Sequence, residues 1–195
     1  MSSGVEFEEH REGESSLSQF LQRIKDFDPD IIWISSHGEH KYYNPNESKI
    51  IFSENEFLEI KDFNILVNQG SKRRLLFLNT CEGGVHFHSG ELKNLGFPNL
   101  LVSSNQDVIS HLWMAEARFA YVFGVFLALG VSYLEKNFFD AYEYSLSIVL
   151  SNKEEILDAL ESFPLELLDL KERIRNNDGT KWGKLITVGS PVYHI

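Results

Sequence analysis

The stretch Leu75-Leu-Phe-Leu-Asn-Thr-Cys81-Glu-Gly-Gly84 decides the fold. Its opening run of large apolar residues lies between Lys72-Arg73-Arg74 and Gly83-Gly84, and it has the unbroken hydrophobicity of a strand buried on both faces of a parallel sheet. The C-terminal end of that strand presents Cys81, the only cysteine of the chain. In open α/β sheets the crevice beyond the carboxyl ends of the strands is where sites are built, so a thiol there is placed for chemistry. A free cysteine is also commonly a buried structural residue. The choice turns on what else the chain brings to the same edge.

Upstream, Ile31-Ile-Trp-Ile34 is a second short apolar run, entered through Asp28-Pro29-Asp30 and left through Ser35-Ser36-His37-Gly38. Two buried strands thus end on a reactive side chain followed closely by glycine. On parallel neighbouring strands both side chains emerge at one edge, which is the geometry a Cys/His dyad needs. Cysteine is a useful nucleophile only as the thiolate, and a nearby imidazole takes its proton and later returns one to a leaving amine. Caspase-type sites carry glycine two residues after the nucleophile and histidine about 50 residues before it. Gly83 and His37 stand close to those positions relative to Cys81. Backbone N–H groups at Gly38 and Cys81 are the candidates for holding a developing oxyanion, and Gly38 admits a close-lying substrate carbonyl.

The 195 residues are 43% hydrophobic and 13% aromatic, enough to bury one substantial core without covalent staples. A single domain over 1–195 is expected, with 1–15 an edge strand or flexible tail. One cysteine excludes an intrachain disulfide and a multi-thiolate metal site, and with no signal-peptide pattern it points to a cytoplasmic setting. No stretch has the unbroken apolar length of a membrane span. The net charge of −11 argues against direct binding of nucleic acid.

Taken in order, Leu17, Phe20, Leu21, Ile24 and Phe27 fall at helical spacing behind a Ser16 cap. Lys49-Ile-Ile-Phe52 reads as a short strand. Glu59 to Asn68 reads as a helix with Phe63, Leu66 and Val67 inward, and Gly83 to Gly90 as a loop. One helical turn is expected at Glu91 to Leu95 and a strand at Leu100 to Ser103. The longest helix runs from Trp113 to Leu129 and ends at Gly130. A further helix covers Phe138 to Leu150, one or two more lie between Lys153 and Arg175, and Leu185-Ile-Thr-Val188 is a last strand. Strands alternating with helices argue for a three-layer α/β/α sandwich around a mostly parallel central sheet.

These segments resemble the CHAT family of caspase-like cysteine peptidases. The likeness rests on Ile31 to Gly38, on Lys49 to Phe52 with its helix, and on Leu75 to Gly83. It extends through Pro98-Asn-Leu-Leu-Val-Ser-Ser, Phe123-Gly-Val-Phe-Leu-Ala-Leu-Gly130 and Trp182 to Pro191. The resemblance implies a caspase-haemoglobinase-like fold and cofactor-free endopeptidase activity, with Cys81 as nucleophile and His37 as general acid/base. It also implies a dedicated protein or peptide substrate, a regulatory protein partner, and a role in bacterial defence or signalling. Relatives of this kind often adjoin TPR arrays, for which this chain has no room. The same scaffold without catalysis, an interaction module that binds a regulator or substrate, is the alternative.

In the resembling fold the residue two before the nucleophile lines the primary substrate pocket, here Asn79, a neutral hydrogen-bonding group. A carboxylate there would favour arginine or lysine. Asp107, in an expected loop from Ser103 to Ser110, either supplies such a charge from the facing wall or caps the helix that follows. His86-Phe-His88 with His40 or His111 has the residue types of a metal site, but no acid or thiol completes the set at a known spacing, and no metal is expected.

Overall fold

A computed structural model describes residues 16–39, 41, 47–80, 87–89, 92–95, 97–112, 116–163, 168–176 and 189–195. The chain forms two compact units, one from 1–114 with 191–195, the other from 115–190.

The first unit opens with helix α1 (Leu17–Phe27), started by a capping box. Ser16 Oγ accepts from Gln19 N–H at 3.3 Å and Gln19 Oε1 accepts from Ser16 N–H at 2.8 Å, so two orphan donors of the first turn are satisfied. Asp28 stops the helix in the left-handed region at φ 44°, and Pro29 follows. The main sheet is built from β1 (Ile31–Ser35), β5 (Arg74–Asn79), β8 (Gln106–His111) and β9 (Pro191–His194), in the order β1-β5-β8-β9. The first three are parallel and β9 is antiparallel, so the central sheet is mostly parallel. A second, antiparallel sheet joins β2 (His37–Glu39), β3 (Lys49–Ser53) and β4 (Glu56–Glu59). A hairpin pairs β6 (Phe87–Ser89) with β7 (Leu92–Leu95).

Period two decides the core. Ile32, Ile34, Leu76, Leu78 and Val108 share one face of the main sheet and pack with Ile24 of α1, with Phe63 and Leu66 of a 3-10 helix (Ile60–Leu66), and with α2 (Phe97–Leu101). Each such side chain removed from water contributes roughly 1.5–3 kcal/mol. The other face carries Trp33 and Phe77, their rings 5.6 Å apart, and Ile109. Leu75 to Leu78 are wholly buried, as the apolar run demands of a central parallel strand.

Several expectations shift. Of the strand expected at Leu100 to Ser103, Leu100 and Leu101 instead end helix α2, because Phe97, Pro98 and Leu101 are buried while Leu100 is 36% exposed, a helical rather than alternating pattern, and Ser103 makes only an isolated bridge to Gln106. The strand lies later, at Gln106–His111. Only Val108 and Ile109 there are aliphatic, and Gln106, Asp107, Ser110 and His111 are equally buried because each has a hydrogen-bonding partner. The segment 92–95 is a strand of a hairpin rather than a helical turn, and 87–89 is its partner rather than loop. The helix expected from Glu59 is a 3-10 helix, whose three-residue period sets Phe63 and Leu66 on one side. The edge strand or tail expected at 1–15 and the strand expected at Leu185 to Val188 lie outside the described residues.

The second unit is helical: α3 (Ala117–Ser132), α4 (Phe138–Val149), α5 (Lys153–Glu161) and α6 (Leu168–Arg175). Gly130 does not end α3. A Cβ there would stand 3.0 Å from that of Ala141, so the glycine serves the close approach of α4. Asn137 caps α4 and an Asn152/Glu155 capping box starts α5. Phe126 and Tyr133 both meet Phe163 edge to face. Among the described residues no helix is long and apolar enough to cross a membrane.

Candidate active site

Parallel pairing of β1 with β5 sets Ser35 directly opposite Asn79, the last residue of each strand. From that pair the chain runs on to His37 on one side and through Thr80 towards Cys81 on the other. Ser36 makes the turn out of β1, its N–H donating to Asn79 O at 3.4 Å and its hydroxyl to Ile51 O. His37 then opens β2 opposite Ile51 with its side chain exposed, and Gly38 follows opposite Ile50. Cys81, Gly83 and Gly84 lie outside the described residues. Thr80, next to Cys81, is buried, and its hydroxyl has no hydrogen-bond partner among the described residues.

Asn79 is held from both sides. Its Nδ2 donates to Ser35 Oγ at 3.1 Å, and its Oδ1 lies 3.1 Å from His111 Nε2. These bonds tie together the carboxyl ends of β1, β5 and β8 in one polar ladder. His111 is fully buried with its ring edge-on to Phe77 at 5.7 Å. Beside it, Ser110 Oγ lies 2.9 Å from His194 Nε2. Next to His37, the Glu39 carboxyl is held below its ordinary range by hydrogen bonds first from Lys41 and then from Lys49.

Asp107 is elsewhere. It belongs to strand β8, not to a loop, and it caps no helix. It stands opposite Leu75, near the amino ends of the strands and four residues before His111, about 13 Å away at strand rise. Its carboxylate is spent: Arg73 Nε and Nη2 hold it at 3.0 and 2.7 Å, and Tyr193 donates its hydroxyl to Oδ2. The bond raises the Arg73 guanidinium above its usual range, and burial first, then Asp107, push the Tyr193 phenol up. No charge reaches the Asn79 end from this residue.

The sequence reading missed His111 as a neighbour of Asn79. The signal was the phase of Val108-Ile-Ser-His111, a short apolar pair running into a polar end like those of the other two strands; placing the strand at Leu100 hid it. Of the histidines weighed as metal ligands, His40 and His86 lie outside the described residues and His111 is engaged with Asn79. Among the described residues no cluster of three His, Cys, Asp or Glu is close enough to hold a metal ion.

No protein-family model matches the chain, and no curated protein matches it in sequence.

Proposed function

We propose that the chain is a cysteine endopeptidase of CHAT type on a three-layer, caspase-haemoglobinase-like scaffold, acting on a protein or peptide substrate through Cys81 and His37. The observation that carries the reading is the register of β1 with β5: Ser35 faces Asn79, and His37 and Cys81 each stand two residues past that pair. Equal offsets in sequence beyond adjacent parallel strands support assigning the two reactive groups to one edge. The exposure of His37 leaves its imidazole accessible to substrate.

In this mechanism His37 accepts the thiol proton and the Cys81 thiolate adds to the scissile carbonyl. The N–H groups of Gly38 and Cys81 hold the oxyanion. Collapse of the tetrahedral adduct expels the amine, which takes the proton back from His37, and leaves a thioester on Cys81. Water, deprotonated by His37, then releases the carboxylic acid and restores the thiol.

Because Cys81 is the only thiol, intact-mass spectrometry after iodoacetamide treatment reads it directly. Single labelling at neutral pH should outpace a free cysteine, and His37→Ala should slow it about tenfold. Protein substrates cut by the native chain should survive Cys81→Ala. A cleavage pattern that persists in Cys81→Ala would sink the reading. An inert thiol with no cleavage would favour the silent interaction module.

A further inference from the structure

We infer that His111 is the positioning residue of the primary substrate pocket: it fixes the carboxamide of Asn79, and the pocket so built takes an uncharged carboxamide, glutamine or asparagine, ahead of arginine or lysine at the residue before the scissile bond. This rests on the peptidase reading, in which Asn79 lines that pocket.

A carboxamide offers two N–H donors and two lone pairs. One donor goes to Ser35 Oγ and one lone pair faces His111 Nε2. Among the described residues nothing else bonds this half-buried side chain, so one donor and one acceptor remain at the strand end. Turning the carboxamide over exchanges the roles of its neighbours and leaves the same remainder. That remainder is complementary to a second carboxamide, which also gives one N–H and takes one. Arginine and lysine bring donors and a charge, and the ladder holds no carboxylate to meet them, since Asp107 is bound to Arg73 at the far end of β8. The His111 ring, buried against Phe77, gives the ladder a fixed inner post. Ser35, exposed, is its outer one.

The test uses the full chain and a library of blocked fluorogenic peptides varied at the residue before the scissile bond. The native protein should favour glutamine or asparagine over arginine and lysine by at least about tenfold in kcat/KM, the scale of a hydrogen bond made or lost in a buried site. Asn79→Asp should reverse the order. His111→Leu should shrink the discrimination chiefly through KM, and His111→Gln should restore it. Should His111→Leu fail to fold, Ser35→Ala opens the ladder from its outer end and carries the same comparison. A native preference for arginine or lysine, or selectivity unmoved in the ladder variants, overturns the inference while leaving the peptidase reading intact. No cleavage with an inert Cys81 overturns that reading and the pocket assignment with it. The Asn79 side-chain amide resonances in ¹⁵N-labelled protein test the positioning alone, and resonances unchanged in His111→Leu overturn it.

Discussion

The two ends of the same three parallel strands are closed in opposite ways. At the amino end the closure is charged and dense. Arg73 grips Asp107, Arg74 reaches Asp28 Oδ1 at 2.7 Å and Pro29 O at 3.1 Å, and Asn68 donates to the carbonyls of Lys72 and Asn105, binding the approaches to β5 and β8 together. At the carboxyl end the described residues form no ion pair across the three strands: the bonds there are the Ser35-Asn79-His111 ladder, Ser110 Oγ with His194 Nε2, and the two bonds from Ser36, with an exposed His37 beyond them. Charges paired where nothing has to enter hold the sheet. In the proposed peptidase, the hydrogen-bonding capacity left on Asn79 at the other end is what a substrate would meet.

The strongest attempt to break this contrast is Arg73→Ala. Removing one partner of a buried pair costs about 3–5 kcal/mol. Here the Arg73 side chain is 60% exposed and water screens part of its attraction, so about 2 kcal/mol is expected, with the buried Asp107 carboxylate left to Tyr193. Urea denaturation with an unchanged slope checks it. Alkylation of Cys81 under native conditions should keep its rate. A rate that fell with stability would show that the two ends are not separate devices.

A gentler cut at the same end is Tyr193→Phe, which removes one donor to a carboxylate and should cost about 1.5 kcal/mol at neutral pH. The sign with pH follows from the raised phenol. A group whose folded value lies above its unfolded value contributes fully below the unfolded value, about 10 for tyrosine, and loses that contribution as pH climbs towards the folded one. The stability gap between native protein and Tyr193→Phe should therefore be constant to about pH 9 and narrow above 10. Denaturation midpoints taken at pH 8 and pH 10.5 measure it, and a gap that widened would reverse the assignment of the bond.

How far the sequence revealed these ends depends on what held each strand. Leu75 to Leu78 and Ile31 to Ile34 were legible because apolar burial writes itself as an unbroken run. The Ser16 cap and α1 were legible because capping is local. Gln106–His111 was not, since most of its residues are polar and are buried only by virtue of Asn68, Arg73, Tyr193, His194 and Asn79, all distant in sequence. Pairing of that kind has no local signature. It moved Asp107 from a loop beside the site to the opposite end of the sheet, and it brought in His111, which no spacing had linked to Asn79. Gly130 was misread for a related reason: a glycine that admits Ala141 looks, in sequence, like one that ends a helix.

The smallest effect is expected at the carboxyl end itself. Thr80 stands one residue before Cys81 with its hydroxyl buried and without a hydrogen-bond partner among the described residues, whereas the amino end satisfies its buried polar groups. A desolvated hydroxyl with nothing to bond is a cost carried by the fold, and such costs gather where a site must be built. Thr80→Val keeps the β-branched shape a strand end favours and removes the hydroxyl, so stability should stay level or rise by up to about 1 kcal/mol. Thermal and urea unfolding of the variant decide between the cases. A loss greater than about 1 kcal/mol would mean that the hydroxyl is bonded in the folded protein and that the carboxyl end is as fully satisfied as the other. A rise in stability accompanied by slower alkylation of Cys81 would mean that the unsatisfied group is kept for the chemistry next to it.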